Sequence, residues 1–429
     1  MAFIAAGWAG SAQAETEALA TMIIEGSAGV PGELSLSLQQ SSAPAADAGD
    51  WLRRINGIEA VRMGGHGLEL VIRGQQGNAV NILVNGGFVF GGCPNRMDTP
   101  TAYAPLHSFD HVMDNTSLRD APMMKMRSPT ESDTLTWKSM VVQQLADSDL
   151  RFGVNVLQNE RDARIINDTA DKVAFLSWPD VTTRQFGVFA ELDHYLGERT
   201  TLSGGLRLDY SEASADAADQ ASDTGVVAAD LYRREYGVAG ELDHKAWLAG
   251  GFLRGEQRLN DTDTLYASLS RAERDADATE RYFAKGDWVG NPGLDPEVHH
   301  QLEVGIERRL ANGGVEVVAF ADRVDDYIFR DTVDGVSVCR NIDATLNGVE
   351  LSGDLRWAHH RETRGQLSWV RGDNLDDGGA LADIAPLRGQ LSQFHVREVW
   401  EAGLTARFSD AQDRLGPDEV ALGLCGAGC

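Results

Sequence analysis

Cys93 and Met97 stand four positions apart in GGCPNRMDTP, residues 91–100, on a glycine-rich turn of a chain with only four cysteines. Two sulfur donors that close suit a soft metal ion. Taken alone, the same pair serves equally well as two small hydrophobes filling a gap. Three more sulfurs follow at Met123, Met124 and Met126 in PMMKMRSP, read either as a weak metal-capture segment or as flexible apolar residues at a strand end. A repeated ELDH places His194 and His244 in similar surroundings, in FGVFAELDHYL (186–196) and YGVAGELDHKA (236–246). A metal pair is one reading of it. Homologous strand ends are the simpler one, since a histidine there needs no ligand to explain it. No GxSxG, HExxH or P-loop occurs, and no carboxylate pair stands out from an acidic background, so catalysis is not expected.

These residues need elements to hold them, and composition limits which. The 429 residues carry 38 Lys plus Arg against 65 Asp plus Glu, a formal charge of −27. Such a surface repels nucleic acid and attracts cations. The 46 glycines, against 12 prolines, suit a folded chain with many turns. The cysteines Cys93, Cys339, Cys425 and Cys429 form no CxxC and no disulfide framework. No run of 18 apolar residues exists, which excludes a membrane helix but not a β-barrel, whose strands alternate. The opening MAFIAAGWAGSAQAETE has a short apolar stretch and an Ala-Gln-Ala cleavage pattern before Glu15, so residues 1–14 read as a signal-peptide remnant lacking its basic start.

Residues 15–50 are rich in small and polar types around one apolar patch, Leu19 to Ile24, and read as a flexible segment. DWLRRINGIEAVRMGG, from Asp50, predicts a short helix and a turn, and LELVIRG and NAVNILVNGGFVF predict short strands. Residues 51–110 thus form a small mixed α/β unit. From 111 onward the pattern is long period-two alternation. Phe186, Val188, Leu206, Leu208, Val304, Ile306 and Leu351 fall on one face, and Arg207, Glu303, Glu307 and Glu350 on the other. Strands with one apolar and one charged face meet two different solvents. Roughly 14 such stretches of roughly 9–15 residues match strands that cross a bilayer at a tilt. The apolar set is expected to face lipid and the charged set a lumen.

Four stretches carry a resemblance to the TonB-dependent outer-membrane receptors. NPGLDPE (291–297) is similar to the family's NPxLxPE element, and TLYASLSRAERDADATERY (264–282) to the strand and loop before it. RNIDATLNGVELSGDLRW (340–357) resembles a later strand with a Gly-Val-Glu core. LVIRGQQGNAVNILVNGG (70–87) resembles the plug core, with Asn85 where the family usually has Asp. Leu19–Gly26 is similar to the box gripped by the energy-coupling protein. GGCPNRMDTPTAY further resembles the copper-receptor branch, which pairs Cys-x-x-x-Met on the plug with His-x-Met on the barrel. Here these are Cys93 and Met97, then His111 and Met113 in DHVMDN. The donor chemistry agrees, because thiolate and thioether select copper(I) and imidazole suits either copper state.

The resemblance implies a transmembrane antiparallel β-barrel (incomplete here, roughly 14 strands, residues 111–429) around a partial plug (51–110), preceded by a coupling segment (15–50). It implies a receptor in the outer membrane of a Gram-negative bacterium, with copper as cargo, and the TonB energy-coupling protein, copper ion and outer-membrane lipid as partners. A siderophore or other metal-chelate receptor is the alternative within the fold. A plugless passive channel, or a non-functional truncated barrel remnant, is the alternative outside it. The chain departs from the pattern in two places. Only fourteen positions separate Met97 from His111, as after an internal deletion, and the C-terminus DRLGPDEVALGLCGAGC lacks a terminal aromatic. A local copper site without energised uptake is the expectation for such a chain.

Overall fold

The computed structural model describes residues 52, 55, 57–61, 68–80, 82–84, 87–88, 106–114, 125–238, 242–357, 360–397 and 400–416. Residues 1–14 and 15–50, read above as a signal-peptide remnant and a coupling segment, and Cys93, Met97, Cys425 and Cys429 lie outside them. The N-terminal unit opens with strands β1 (Ile58–Val61), β2 (Glu69–Ile72) and β3 (Gln75–Gln76), an antiparallel sheet in that order. A two-strand hairpin, β4 (Leu83–Val84) and β5 (Gly87–Phe88), follows. The stretch from Asp50 carries a helical residue at Leu52 and a turn at Gly57, as its sequence predicts, and adds a strand. It ends in strand β1, because Ile58 and its neighbours pair with β2 and bury Ile58, Leu52 and Leu70 together.

The rest is one large sheet. Its long strands are β6 (Leu106–Asp114), β7 (Met126–Gln144), β8 (Ser148–Asn167), β9 (Lys172–Leu196), β10 (Thr200–Ala215), β11 (His244–Arg258) and β12 (Asp263–Arg274). Two short strands, β13 (Ala284–Lys285) and β14 (Trp288–Val289), lie in the connection that follows. The wall resumes with β15 (Glu297–Leu310), β16 (Gly313–Val333), β17 (Val336–Trp357), β18 (Arg361–Asn374), β19 (Arg388–Arg397) and β20 (Trp400–Ser409). Each long strand pairs antiparallel with its neighbour, so the path runs without crossover from β6 to β20. The long strands among the described residues number thirteen, an odd count, and β6 and β20 therefore run parallel to each other. No pairing joins these two edges among the described residues.

Alternation sorts the wall into two faces, as the sequence predicts. Leu206 is 75% exposed and Phe186, Val188, Leu208, Val304, Ile306 and Leu351 are all exposed on the outer face. Glu303 and Glu350 are buried on the inner face, where Arg207 bonds its neighbours. Water gives no reason to expose so many large apolar side chains in bands, whereas lipid does. Short turns at 197–199, 259–262 and 311–312 mark one rim, and the long connections 216–243 and 275–296 mark the other. Among the described residues no helix is long and apolar enough to cross a membrane.

The long connections fold into a cap. Helix α1 (Ala228–Tyr236) and the five-residue α2 (Ala278–Tyr282) pack with Trp178, Val181, Phe283 and Val289. Helix α2 starts on a capping box, in which Asp277 accepts from the Glu280 amide and the Glu280 carboxylate accepts from the Asp277 amide. The Tyr232 hydroxyl donates to the Tyr282 carbonyl at 2.5 Å, tying the helices together.

The ELDH repeat does not mark homologous strand ends. His194 closes β9 at the short-turn rim, where its ring meets Ser148 Oγ at 2.8 Å. His244 begins β11 at the long-connection rim, 3.3 Å from Asp275. The second copy starts at the end of a helix: Tyr236 is the last residue of α1, and Gly237 caps it at φ +68°. The likeness of the two stretches is therefore local, without a shared structural role.

Candidate functional site

One turn of the N-terminal unit reaches two strands of the wall. Ile72 pairs with Gln75, so Arg73 and Gly74 form a two-residue hairpin turn, with φ of +50° and +84°. Both central residues in the left-handed region is the type I′ geometry, which asparagine or glycine usually takes. An arginine there is held against its backbone preference. Its side chain supplies the reason. Arg73 Nε and Nη2 donate to the two oxygens of Glu350 at 3.0 and 2.9 Å, and Nη1 donates to Glu303 at 2.6 Å. The planar fork matches Glu350 two-to-two, which a lysine cannot do. The guanidinium also lies 4.4 Å from the centre of the Phe320 ring.

Burial works against the Arg73 charge, but Glu350 and then Glu303 more than offset it and raise its pKa above the ordinary arginine value. Gly57, at φ +74°, passes so close to the Glu350 carboxylate that any Cβ would collide with it. A second junction lies two strands along the wall from β17. Arg388 of β19 donates to the Ile58 carbonyl at 2.9 Å and pairs with Glu59 at 2.7 Å. Burial pushes the Glu59 carboxyl up to about 7, against the pull of Arg388. Gln76 reaches Asp383 across the same gap. The N-terminal unit is thus pinned to the inner face of β15, β17 and β19 by ion pairs, the kind of contact that can be released and remade.

A different ionic cluster lies at the long-connection rim. Glu297, the last residue of NPGLDPE, is fully buried and accepts from Arg274 at 2.8 Å, His299 at 2.7 Å and the Ile328 amide at 2.9 Å. His299 also meets Asp322 at 2.7 Å. Arg281, also buried, donates to the carbonyls of Pro292 and Leu294 and to Asp275. The motif is therefore a structural knot that fastens the cap to β12, β15 and β16.

Of the four metal candidates, His111 and Met113 fall on β6, at register positions opposite Thr130 and Ser128 of β7. They stand two apart on one strand, and the residue between them, Val112, is exposed. Cys93 and Met97 lie outside the described residues. Among the described residues no group of three or more His, Cys, Asp or Glu is placed to hold a metal. Sequence reasoning placed Glu303 and Glu350 on the inner face but missed Arg73, Glu59 and Arg388. The available signal was an Arg-Gly at the end of an apolar strand, facing two wall glutamates of otherwise unexplained charge.

Residues 68–421 match the family described as TonB dependent receptor-like, beta-barrel. The chain belongs to that family. Its members are transport receptors of the Gram-negative outer membrane and not enzymes. Among solved structures, a copper transporter, OprC, superposes with a TM-score of 0.76 at 21% identity, over 87% of this chain and 83% of that one. The Serratia marcescens hemophore receptor HasR, in complex with its hemophore HasA and heme, superposes with a TM-score of 0.52 at 17% identity, over 67% of this chain and 52% of that one. At these identities the likeness is one of fold.

Proposed function

We infer that this chain is an outer-membrane receptor for copper ions. The observation that carries the reading is the pairing of two donor motifs. Cys93 and Met97 stand on the segment leading out of the N-terminal unit, and His111 and Met113 stand on one face of the first wall strand. The fold likeness to a copper transporter supports it. In this reading residues 51–110 are the plug, Cys93 supplies the dominant thiolate, Met97 a weaker thioether, and His111 with Met113 close the site from the wall. Residues 15–50 are the segment that the TonB energy-coupling protein would engage, and the Arg73 and Arg388 ion pairs are the contacts that a pull there would have to break. For this chain the proposal is a local copper site without energised uptake.

Copper titration of the purified chain tests this. Cys93→Ser is expected to abolish tight binding, and Met97→Leu to weaken it. His111→Ala and Met113→Leu are each expected to weaken it without loss of stoichiometry. A Cys93→Ser protein that still carries one copper per chain overturns the assignment.

A further inference from the structure

Antiparallel pairing between β11 and β12 stops where Gly251 stands opposite Arg271, short of the long-connection rim. Above that point, residues 244–250 of β11 pair with β10 alone, and residues 272–274 of β12 with β15 alone. A comparable split lies between β18 and β19 above Ser368, and there backbone enters it: Leu381 donates to the Gly372 carbonyl at 3.2 Å. Between β11 and β12 two side chains stand in for a strand. Continued register would set Ala249 opposite Glu273. Instead the Ala249 amide donates to the Glu273 carboxylate at 2.6 Å, and its carbonyl accepts from Arg271 Nη1. Arg271 Nη2 also donates to Glu273, which closes the ring. Backbone in a membrane wall must be paired, and here the pairing can be undone by a rotamer change.

Space lies on both sides of the split. Outside, a groove of about 820 Å³ runs over Leu206, Gly251, Leu269, Leu302 and Ala321. Inside, a lumen cavity of about 390 Å³ reaches the same place, and Ala249 and Gly250 border both spaces. By alternation Glu273 shares the outward face of Leu269 and Arg271, yet it borders the inner cavity and its side chain is only 11% exposed. Its carboxylate therefore lies in the split itself. Gly250 thins the wall there, since a Cβ would come within 3.3 Å of the Arg271 carbonyl oxygen. Trp247 is 66% exposed with its ring 5.0 Å from that of Tyr210, an aromatic pair of the kind found where hydrocarbon gives way to headgroups.

The latch carries both signs, and that selects what can open it. Drawing Arg271 away from Glu273 leaves two charges without partners. A headgroup with one anionic and one cationic group takes up both at once, whereas a headgroup of single sign strands one of them. The neighbouring cations His300 and Arg323 have acids of their own in Asp325 and Asp343, so the rim of the groove is balanced in the same way. The apolar groove beneath suits one acyl chain.

We propose that the split between β11 and β12 is a lateral portal, through which a single-chain zwitterionic amphiphile passes between the membrane and the lumen, with Arg271 and Glu273 as its latch. It uses none of the sulfur and imidazole candidates, and Cys93→Ser should leave it unchanged.

The test uses the full chain in phospholipid nanodiscs with lysophosphatidylethanolamine carrying a diazirine at the end of its acyl chain. Adducts are located by mass spectrometry after illumination. Wild type is expected to carry label in the outer groove, on Leu269 and Leu302, and also on Phe88 and Asn159, which border the inner cavity. The inner label should exceed that from the anionic lysophosphatidylglycerol by roughly tenfold. Ala249→Phe and Gly250→Leu, which plug the split from its two faces, are each expected to remove the inner label and keep the outer one, with heat-modifiability reporting their folding. Arg271→Gln combined with Glu273→Gln, which retains hydrogen bonding without charge, is expected to admit both lipids equally. Undiminished inner label in the folded plugged variants would mean entry by another route and would overturn the proposal. Label confined to the outer groove, in the wild type and in the paired Gln variant alike, would mean a sealed wall with ordinary boundary lipid and would overturn it as well. Equal inner label from the two lipids in the wild type would contradict the role given to the latch.

Discussion

Two ionic clusters, both on inner-face strands, are built for opposite purposes. At the rim, Glu297 is fully buried and bonded from β12, β15 and β16, and Arg274 and His299 each hold a second acid. At the junction, one side chain, Arg73, reaches from a two-residue turn to Glu303 and Glu350 and stays 22% exposed. The first cluster has many partners in fixed strands, so nothing can leave without stranding a buried charge. The second has one moving member, and its two carboxylates face the lumen once it goes. On the receptor reading proposed above, the second kind suits a unit that is to be displaced and the first a cap that is not.

The largest expected effect is at the rim. Glu297→Ala breaks two buried ion pairs at once, leaving Arg274 only Glu280 and His299 only Asp322, and should cost about 5 kcal/mol, the upper range for such a loss. The measurement is the loss of the heat-modifiable folded form, or its unfolding midpoint in urea. A variant as stable as the wild type would show that the cap does not depend on this knot.

Arg73→Ala should act on the junction alone. A cost on the order of 3 kcal/mol to docking is expected, as Glu350 loses its bidentate partner and Glu303 is left with Arg254 at 3.9 Å. The wall should keep its unfolding midpoint while amide exchange in β1–β3 rises steeply. Arg73→Lys should restore only part of the protection, because a point charge cannot match both oxygens of Glu350. Equal changes in wall and unit would erase the contrast between the clusters.

The smallest effect is a pH dependence. The Glu59 carboxyl titrates near 7 when docked, against an ordinary value of 4.5 when released. The docked state holds the proton more tightly, so docking strengthens as pH falls from about 7 towards 4.5 and weakens as pH rises through 7. Amide exchange of β1, corrected for its intrinsic pH dependence, should slow on acidification, and Glu59→Gln should remove that response. The opposite slope would mean that the ion pair with Arg388 outweighs desolvation.

The wall was legible from sequence for a physical reason. Lipid on one side and a polar lumen on the other impose period two, and Leu206, Val304 and Leu351 fall on the face that pattern assigns. The junction was not legible. Arg73 meets partners 230 and 277 positions away, and no local pattern encodes such a pairing. The repeated ELDH misled because four matching residues carry no information about whether a strand begins or ends there. NPGLDPE was recognised as a family element, but its work as a buried knot came only with Glu297 and its three donors in place.

The most direct test of the receptor reading is X-ray absorption at the copper edge on the copper-loaded full chain. The account predicts sulfur and imidazole nitrogen in the first coordination shell, with the sulfur signal reduced in Met97→Leu and Met113→Leu and the bound copper lost in Cys93→Ser. A shell of oxygen and nitrogen alone, unchanged by replacing Cys93, would contradict it.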